Sequence, residues 1–148
     1  MKILKKFLTL EEIVELITFF KGIPSWEVTR KGVKAYDFAP CSSGPIGMIS
    51  KALKELDEDN CKFYDSFFLN YTNGCKIPWH KDQRSKQRMN VCLIRPESGG
   101  ILYIENEKVE LDVGDAVIFH PSIENHCVDE VKGQRLIWSV GRTSDKGR

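Results

Sequence analysis

Apolar residues first recur at a helical period, at Leu10, Ile13, Val14, Ile17 and Phe20. Spacings of three and four predict an amphipathic helix with this stripe turned to a core. Thr9 is placed to cap it, Glu12 stands where a capping box needs an acid, and Gly22 and Pro24 end it. From 26 to 38 the pattern is more β-like, with Lys31-Gly32 as a hairpin turn, and a second helix is expected over 45–56. From Lys62 onward short apolar runs alternate with turn residues, which predicts strands near 63–71, 89–95, 101–105, 108–111, 116–120, 127–131 and 135–140. Thr72-Asn73-Gly74, Glu97-Ser98-Gly99-Gly100, Asp112-Val113-Gly114-Asp115 and Lys132-Gly133 supply the breaks. Helices followed by closely spaced strands predict a mainly β fold, a β-sandwich or jelly-roll barrel.

Composition narrows this picture. A chain of 148 residues is expected to be a single domain with a core large enough to need no disulfides or metals. Lys and Arg number 22 against 21 Asp and Glu, a formal charge of +1, so no global field recruits nucleic acid or anionic membrane. Cys41, Cys61, Cys75, Cys92 and Cys127 are odd in number and lack paired spacing, which fits reduced thiols and a cytoplasmic location. The basic start Met1-Lys2-Ile3-Leu4-Lys5-Lys6 runs into acidic residues without a small-residue cleavage site, and no apolar run approaches membrane-spanning length.

The chemistry is concentrated in Ile77-Pro78-Trp79-His80-Lys81-Asp82. Residues two apart on an extended segment project to one side, so His80 and Asp82 can grip one ion together. His126 is the natural third ligand, because the remaining histidine, His120, closes an apolar strand. Two imidazoles and one carboxylate leave coordination positions open and point to catalysis; imidazole suits Fe, Zn, Cu and Ni alike.

Several segments together resemble the iron(II)- and 2-oxoglutarate-dependent dioxygenases. They are Phe68-Leu69-Asn70-Tyr71, His80-x-Asp82, Gly99-Gly100-x-Leu102, Gly114-Asp115 through Phe119, and His126-Cys127-Val128 through Gly133-x-Arg135. The resemblance implies a double-stranded β-helix (a jelly-roll, cupin-like barrel) with N-terminal helices packed outside. It divides the single domain 1–148 into support at 1–61 and a catalytic β-core at 62–142. It also implies Fe(II) on His80, Asp82 and His126, with 2-oxoglutarate and O2 as cosubstrates. Arg135, nine residues after His126, looks like the basic residue that pairs the distal carboxylate of 2-oxoglutarate in the prolyl-hydroxylase-like branch. Its planar two-pronged donor suits a carboxylate. Tyr71 looks like the tyrosine that hydrogen-bonds the cosubstrate, and Ser139, sharing the inward face of the Arg135 strand, is expected to donate a further hydrogen bond to the same carboxylate. The AlkB-like branch places its arginine further on, where Arg142 stands.

The reaction so implied is hydroxylation of a C–H bond on a protein or peptide side chain such as proline, with release of succinate and CO2. Small-molecule oxidation and nucleobase oxidation are the alternatives, with a nucleic-acid partner less favoured by the neutral charge. A noncatalytic cupin-like binder is the contrasting class, but cupin sites usually show a His-x-His pair, which this chain lacks. Asn70 is expected to point outward, His120 to sit at a rim, and Cys92, Cys127, Trp79 and Trp138 to pack. Lys81, Arg84, Lys86 and Arg88 are expected to form a solvated loop face, the best source of substrate-contacting charge.

Overall fold

The computed structural model describes residues 1–23, 27–29, 36–40, 46–56, 63–83 and 85–143. The order of elements is β1 (Lys2–Leu4), α1 (Leu10–Lys21), β2 (Glu27–Thr29), β3 (Tyr36–Pro40), α2 (Ile46–Leu53), β4 (Phe63–Tyr71), β5 (Ile77–His80) and β6 (Ser85–Ile94). It continues through β7 (Ser98–Gly99), β8 (Leu102–Ile104), β9 (Glu107–Val109), β10 (Ala116–Phe119), β11 (His126–Val128), β12 (Val131–Lys132) and β13 (Arg135–Thr143).

Among the described residues, β1-β10-β6-β13-β4-β3-β2 form a seven-stranded antiparallel major sheet and β5-β11-β8-β9 a four-stranded minor sheet. Alternation along the central strands assigns each residue to one of two layers. Leu136, Trp138 and Val140 of β13, with Met89, Val91 and Leu93 of β6, pack against Ile13 and Leu16 of α1 and Met48, Ile49 and Ala52 of α2. The opposite face offers Ile137, Cys92, Val117 and Phe119 to Ile77, Leu102, Ile104 and Val128 of the minor sheet. The architecture is therefore the expected double-stranded β-helix type, mainly β, with both helices outside.

Helix α1 starts at the capping box the sequence predicts: Glu12 N donates to Thr9 Oγ1 at 3.2 Å, and Thr9 N donates to Glu12 Oε1 at 2.9 Å. Its buried face is turned from the expected stripe. Leu10 and Val14 are exposed, at 76% and 56%, and Leu16 is fully buried in their place. The core-facing set becomes Ile13, Leu16, Ile17 and Phe20, still spaced by three and four. Helix α2 is shorter than the 45–56 expected, and the hairpin β2–β3 agrees with the β-like reading of 26–38. Its Lys31-Gly32 turn lies outside the described residues, as do Cys41 and Cys61.

Strands β6 and β13 extend beyond their apolar runs, and β1, β5 and β7 appear where no strand was expected. The expected 127–131 strand divides into β11 and β12, which pair with different partners. Gly74, Gly99, Gly100, Gly114 and Gly133 all adopt positive φ in the predicted turns.

Candidate metal and cosubstrate site

His80 and His126 are direct partners across β5 and β11, and the register slips between His126 and Val128, so two residues of β5, Pro78 and Trp79, lie opposite Cys127 alone. The irregularity falls in an edge strand containing Pro78, whose missing N–H makes it a poor ladder member. The two imidazole rings lie 4.2 Å apart between centroids. Asp82 follows β5, held by its backbone N–H donating to the Pro121 carbonyl at 2.8 Å.

Each imidazole is oriented by the carbonyl two residues before it: His80 Nδ1 lies 2.9 Å from Pro78 O, and His126 Nδ1 lies 2.9 Å from Glu124 O. A carbonyl only accepts, so Nδ1 is the protonated nitrogen in both rings and Nε2 is left to face a ligand. The two Nε2 atoms converge on Asp82 Oδ1, at 3.1 Å from His80 and 3.5 Å from His126. The three ligand atoms lie within 4.8 Å of one another. Burial works to raise the Asp82 carboxyl, but the hydrogen bonds and positive charge of His126 and His80 in their doubly protonated form outweigh it and hold the group far below the usual carboxylate range, and a bound cation would take the place of the two Nε2 protons. An ionised carboxylate between two ring nitrogens whose other nitrogens are already engaged is a donor set that fits a divalent cation. His126 is buried against Phe119, whose ring meets it edge-on at 5.2 Å, while His80 and Asp82 stay partly exposed.

Arg135 opens β13 opposite Tyr71 of β4, and both side chains are buried. The Arg135 guanidinium carbon sits 4.6 Å from the centroid of the Tyr71 ring. Gly100 makes this possible, since a Cβ there would stand 3.3 Å from Arg135 Cδ and 3.1 Å from Val131 Cγ2. Cys92 shares this interior face, and its burial pushes the thiol up to about 11 despite the neighbouring Arg135.

Ser139 lies on the Arg135 face, as alternation requires, but within a different cluster. Its hydroxyl accepts from Arg88 Nη1 at 2.7 Å and donates to Asn90 Oδ1 at 2.6 Å. Arg88 also pairs with Asp65 and lies over the Phe67 ring. The expectation that Arg88 belongs to a solvated loop is therefore corrected: β6 begins early enough to bury it at 4% exposure. Lys81 and Lys86 are exposed as expected, and Arg84 lies outside the described residues.

The remaining residues divide as follows. Trp138 is buried and donates its indole N–H to Ser66 Oγ at 3.0 Å. Trp79 instead is exposed and lines a surface cleft of about 430 Å³ with Glu105, Asn106 and Asn125, because its neighbour His80 takes the inward position. Asn70 points outward to Gln134, and His120 sits in the 120–125 turn with its backbone N–H on Glu124 Oε1. Arg142 donates to the Leu53 carbonyl at the end of α2, on the helical side of the sheet. Asp65, Arg88 and Asn90 were not singled out as an interior group. The signal present was Arg88-x-Asn90-x-Cys92, a two-residue polar spacing inside an otherwise apolar strand.

No protein-family model matches the chain, and no curated protein matches it in sequence. Solved structures do match. A prolyl-4-hydroxylase of Pseudomonas putida superposes with a TM-score of 0.79 at 15% identity, over 97% of this chain and 92% of that one. The chain has the fold of the prolyl hydroxylases. The viral collagen prolyl hydroxylase of Paramecium Bursaria Chlorella virus-1, in its 2-oxoglutarate complex, gives 0.73 at 19% identity over 98% and 96% of the two chains. A prolyl hydroxylase from Trichoplax adhaerens, in complex with a hypoxia inducible factor peptide fragment, gives 0.75 at 16% identity over 98% and 84%. The prolyl-hydroxylase-like fold covers nearly the whole chain, including the N-terminal helix and strands.

Proposed function

We propose that this protein is an Fe(II)- and 2-oxoglutarate-dependent dioxygenase that hydroxylates a C–H bond on a protein or peptide side chain, proline first among them, releasing succinate and CO2. The observation that carries the reading is the convergence of His80 Nε2, His126 Nε2 and Asp82 Oδ1, two nitrogens and one oxygen on one partly exposed face. Fe(II) bound there would supply dioxygen activation coupled to oxidation of the keto acid.

The chain's own residues have simpler tasks. His80, Asp82 and His126 hold the ion, and the Pro78 and Glu124 carbonyls fix the rings that do so. Arg135, backed by Tyr71, pairs with the distal carboxylate of 2-oxoglutarate. The packed layer between the sheets, with Tyr71, Cys92 and Ile137, walls the Arg135 end of the site. Residues 1–61 support the β-core of 62–142 within one domain.

A peptide acceptor is supported by the prolyl hydroxylase fold and by the exposed Trp79 cleft beside His80, whose Asn106 and Asn125 amides suit an extended backbone. Arg142, committed to the α2 carbonyl, favours this branch over the AlkB-like one. No helix among the described residues is long and apolar enough to cross a membrane. Among the described residues Cys75, Cys92 and Cys127 form no disulfide, which suits the reducing cytoplasm.

The test is succinate formation from 2-oxoglutarate by purified protein with Fe(II) under air. It is run alone and then with proline-containing peptides, free amino acids and methylated oligonucleotides. Iron-dependent turnover stimulated by peptides, and lost in Asp82→Ala and His126→Ala, is expected. Stimulation by oligonucleotides alone would reassign the substrate, and full turnover in both variants would remove the metal assignment.

A further inference from the structure

Cross-strand partners on the inner face of the major sheet form rows. Asp65, Gly141, Arg88 and Phe119 make one row across β4, β13, β6 and β10, and Phe67, Ser139, Asn90 and Val117 make the next. Because the Phe119 ring meets His126 edge-on, these rows stand at the metal-binding end of the face. Arg135 and Tyr71 stand further along it, separated from the Ser139 row by about 13 Å at the usual rise of a strand.

The Asn90 row carries a hydrogen-bond chain whose direction is fixed. A guanidinium only donates, so Arg88 Nη1 gives its proton to Ser139 Oγ. Ser139 then spends its own proton on Asn90 Oδ1. In this orientation the Asn90 amide oxygen faces Ser139 and the NH2 group faces away. No described residue accepts from Asn90 Nδ2, and Asn90 keeps some exposure although its row partners Ser139 and Val117 are fully buried. An interior amide held in place with an unused donor is arranged to meet an acceptor that enters from outside.

We propose that Asn90 is a ligand-contacting residue whose NH2 group donates to the carboxylate of 2-oxoglutarate nearest the metal, while Arg135 takes the far carboxylate. Arg88 and Ser139 act through it as positioning residues. The proposal rests on the 2-oxoglutarate reading above and adds a residue to it. A carbonyl oxygen of the acceptor peptide offers the same chemistry, so the test separates the two.

The experiment uses 15N-labelled protein loaded with Zn(II), a redox-inert stand-in at such sites. The side-chain NH2 pair of Asn90, assigned by its disappearance in Asn90→Asp, is followed on addition of 2-oxoglutarate. It is expected to shift with saturation. The 2-oxoglutarate Kd is expected to rise about tenfold or more in Asn90→Ala, and further in Asn90→Asp, where a carboxylate replaces the donor. Unchanged Zn(II) affinity in both variants verifies an intact site. An unmoved NH2 pair with wild-type binding present would overturn the role of Asn90 alone. So would a Kd unchanged in both variants, even with a raised peptide KM, which would assign the donor to the acceptor instead. Absence of 2-oxoglutarate binding to the wild-type protein would overturn the cosubstrate reading together with the proposal.

Discussion

Arg135 and Tyr71 are cross-strand partners, and the guanidinium lies over the phenol ring 4.6 Å from its centroid. Stacking restricts the guanidinium before any ligand arrives, so less freedom is lost when it pairs with a carboxylate. Arg135→Ala should raise the 2-oxoglutarate KM by about 100-fold, in line with loss of a charge-assisted hydrogen-bond pair. Metal content should stay near wild type. Arg135→Lys should recover only part of the loss, because an ammonium lacks the planar fork. An unchanged KM in Arg135→Ala would reject the cosubstrate role.

Gly100 gives an independent handle on the same residue. It holds φ at +62°, and an added Cβ would meet Pro96 Cγ at 3.0 Å, Val131 Cγ2 at 3.1 Å and Arg135 Cδ at 3.3 Å. Gly100→Ala should cost about 1–3 kcal/mol in stability for the left-handed backbone. It should also weaken 2-oxoglutarate binding by displacing the Arg135 stem. Chemical denaturation and a titration of cosubstrate read the two effects separately, and a variant that loses stability without losing affinity would show that Arg135 repacks freely.

Asp115 ties the N-terminal segment to the sheet. Its carboxylate accepts from Lys6 N at 2.8 Å, Asp112 N at 3.0 Å and Lys5 Nζ at 3.2 Å. Burial works to raise this carboxyl, and the backbone donors of Lys6 and Asp112 with Lys5 outweigh it, so the folded value lies below the ordinary aspartate value. A lowered folded value means stability that is present above the ordinary value, about 3.9, and is lost as pH falls through the folded one. Asp115→Asn should therefore lower Tm at pH 7, and the gap to wild type should narrow steadily below about pH 4. A gap independent of pH would assign the loss to packing.

Legibility from sequence tracked the length of each contact. Thr9 and Glu12 lie three apart, so the capping box of α1 could be read directly, and the glycine turns announced themselves through residues that tolerate positive φ. The convergence of His80, Asp82 and His126 was legible because His80 and Asp82 are near neighbours and histidines are few. What escaped depended on distant partners. β1 exists only because Lys2–Leu4 finds the edge of β10, and β5 only because Ile77–His80 finds β11. Arg88 reads as a loop charge until Asp65 and Ser139 arrive from strands 23 and 51 positions away. The α1 stripe was misassigned at Leu10 and Val14 because periodicity gives the width of an apolar face but not the tertiary contact that chooses its centre.

Gly141 is the residue that lets Arg88 cross β13 to Asp65. Its conformation needs no left-handed backbone; the requirement is steric, since an added Cβ would fall onto the Arg88 guanidinium. Gly141→Ala should push Arg88 from Asp65 and Ser139 and cost about 3 kcal/mol or more, the scale for breaking a buried charge pair. The cause can be isolated with a double-mutant cycle. In an Arg88→Leu background the guanidinium is gone, so the same alanine should cost under about 1 kcal/mol, and the difference is the coupling between the two positions. Equal costs in the two backgrounds would mean that the glycine serves the backbone of β13 and not the passage of Arg88.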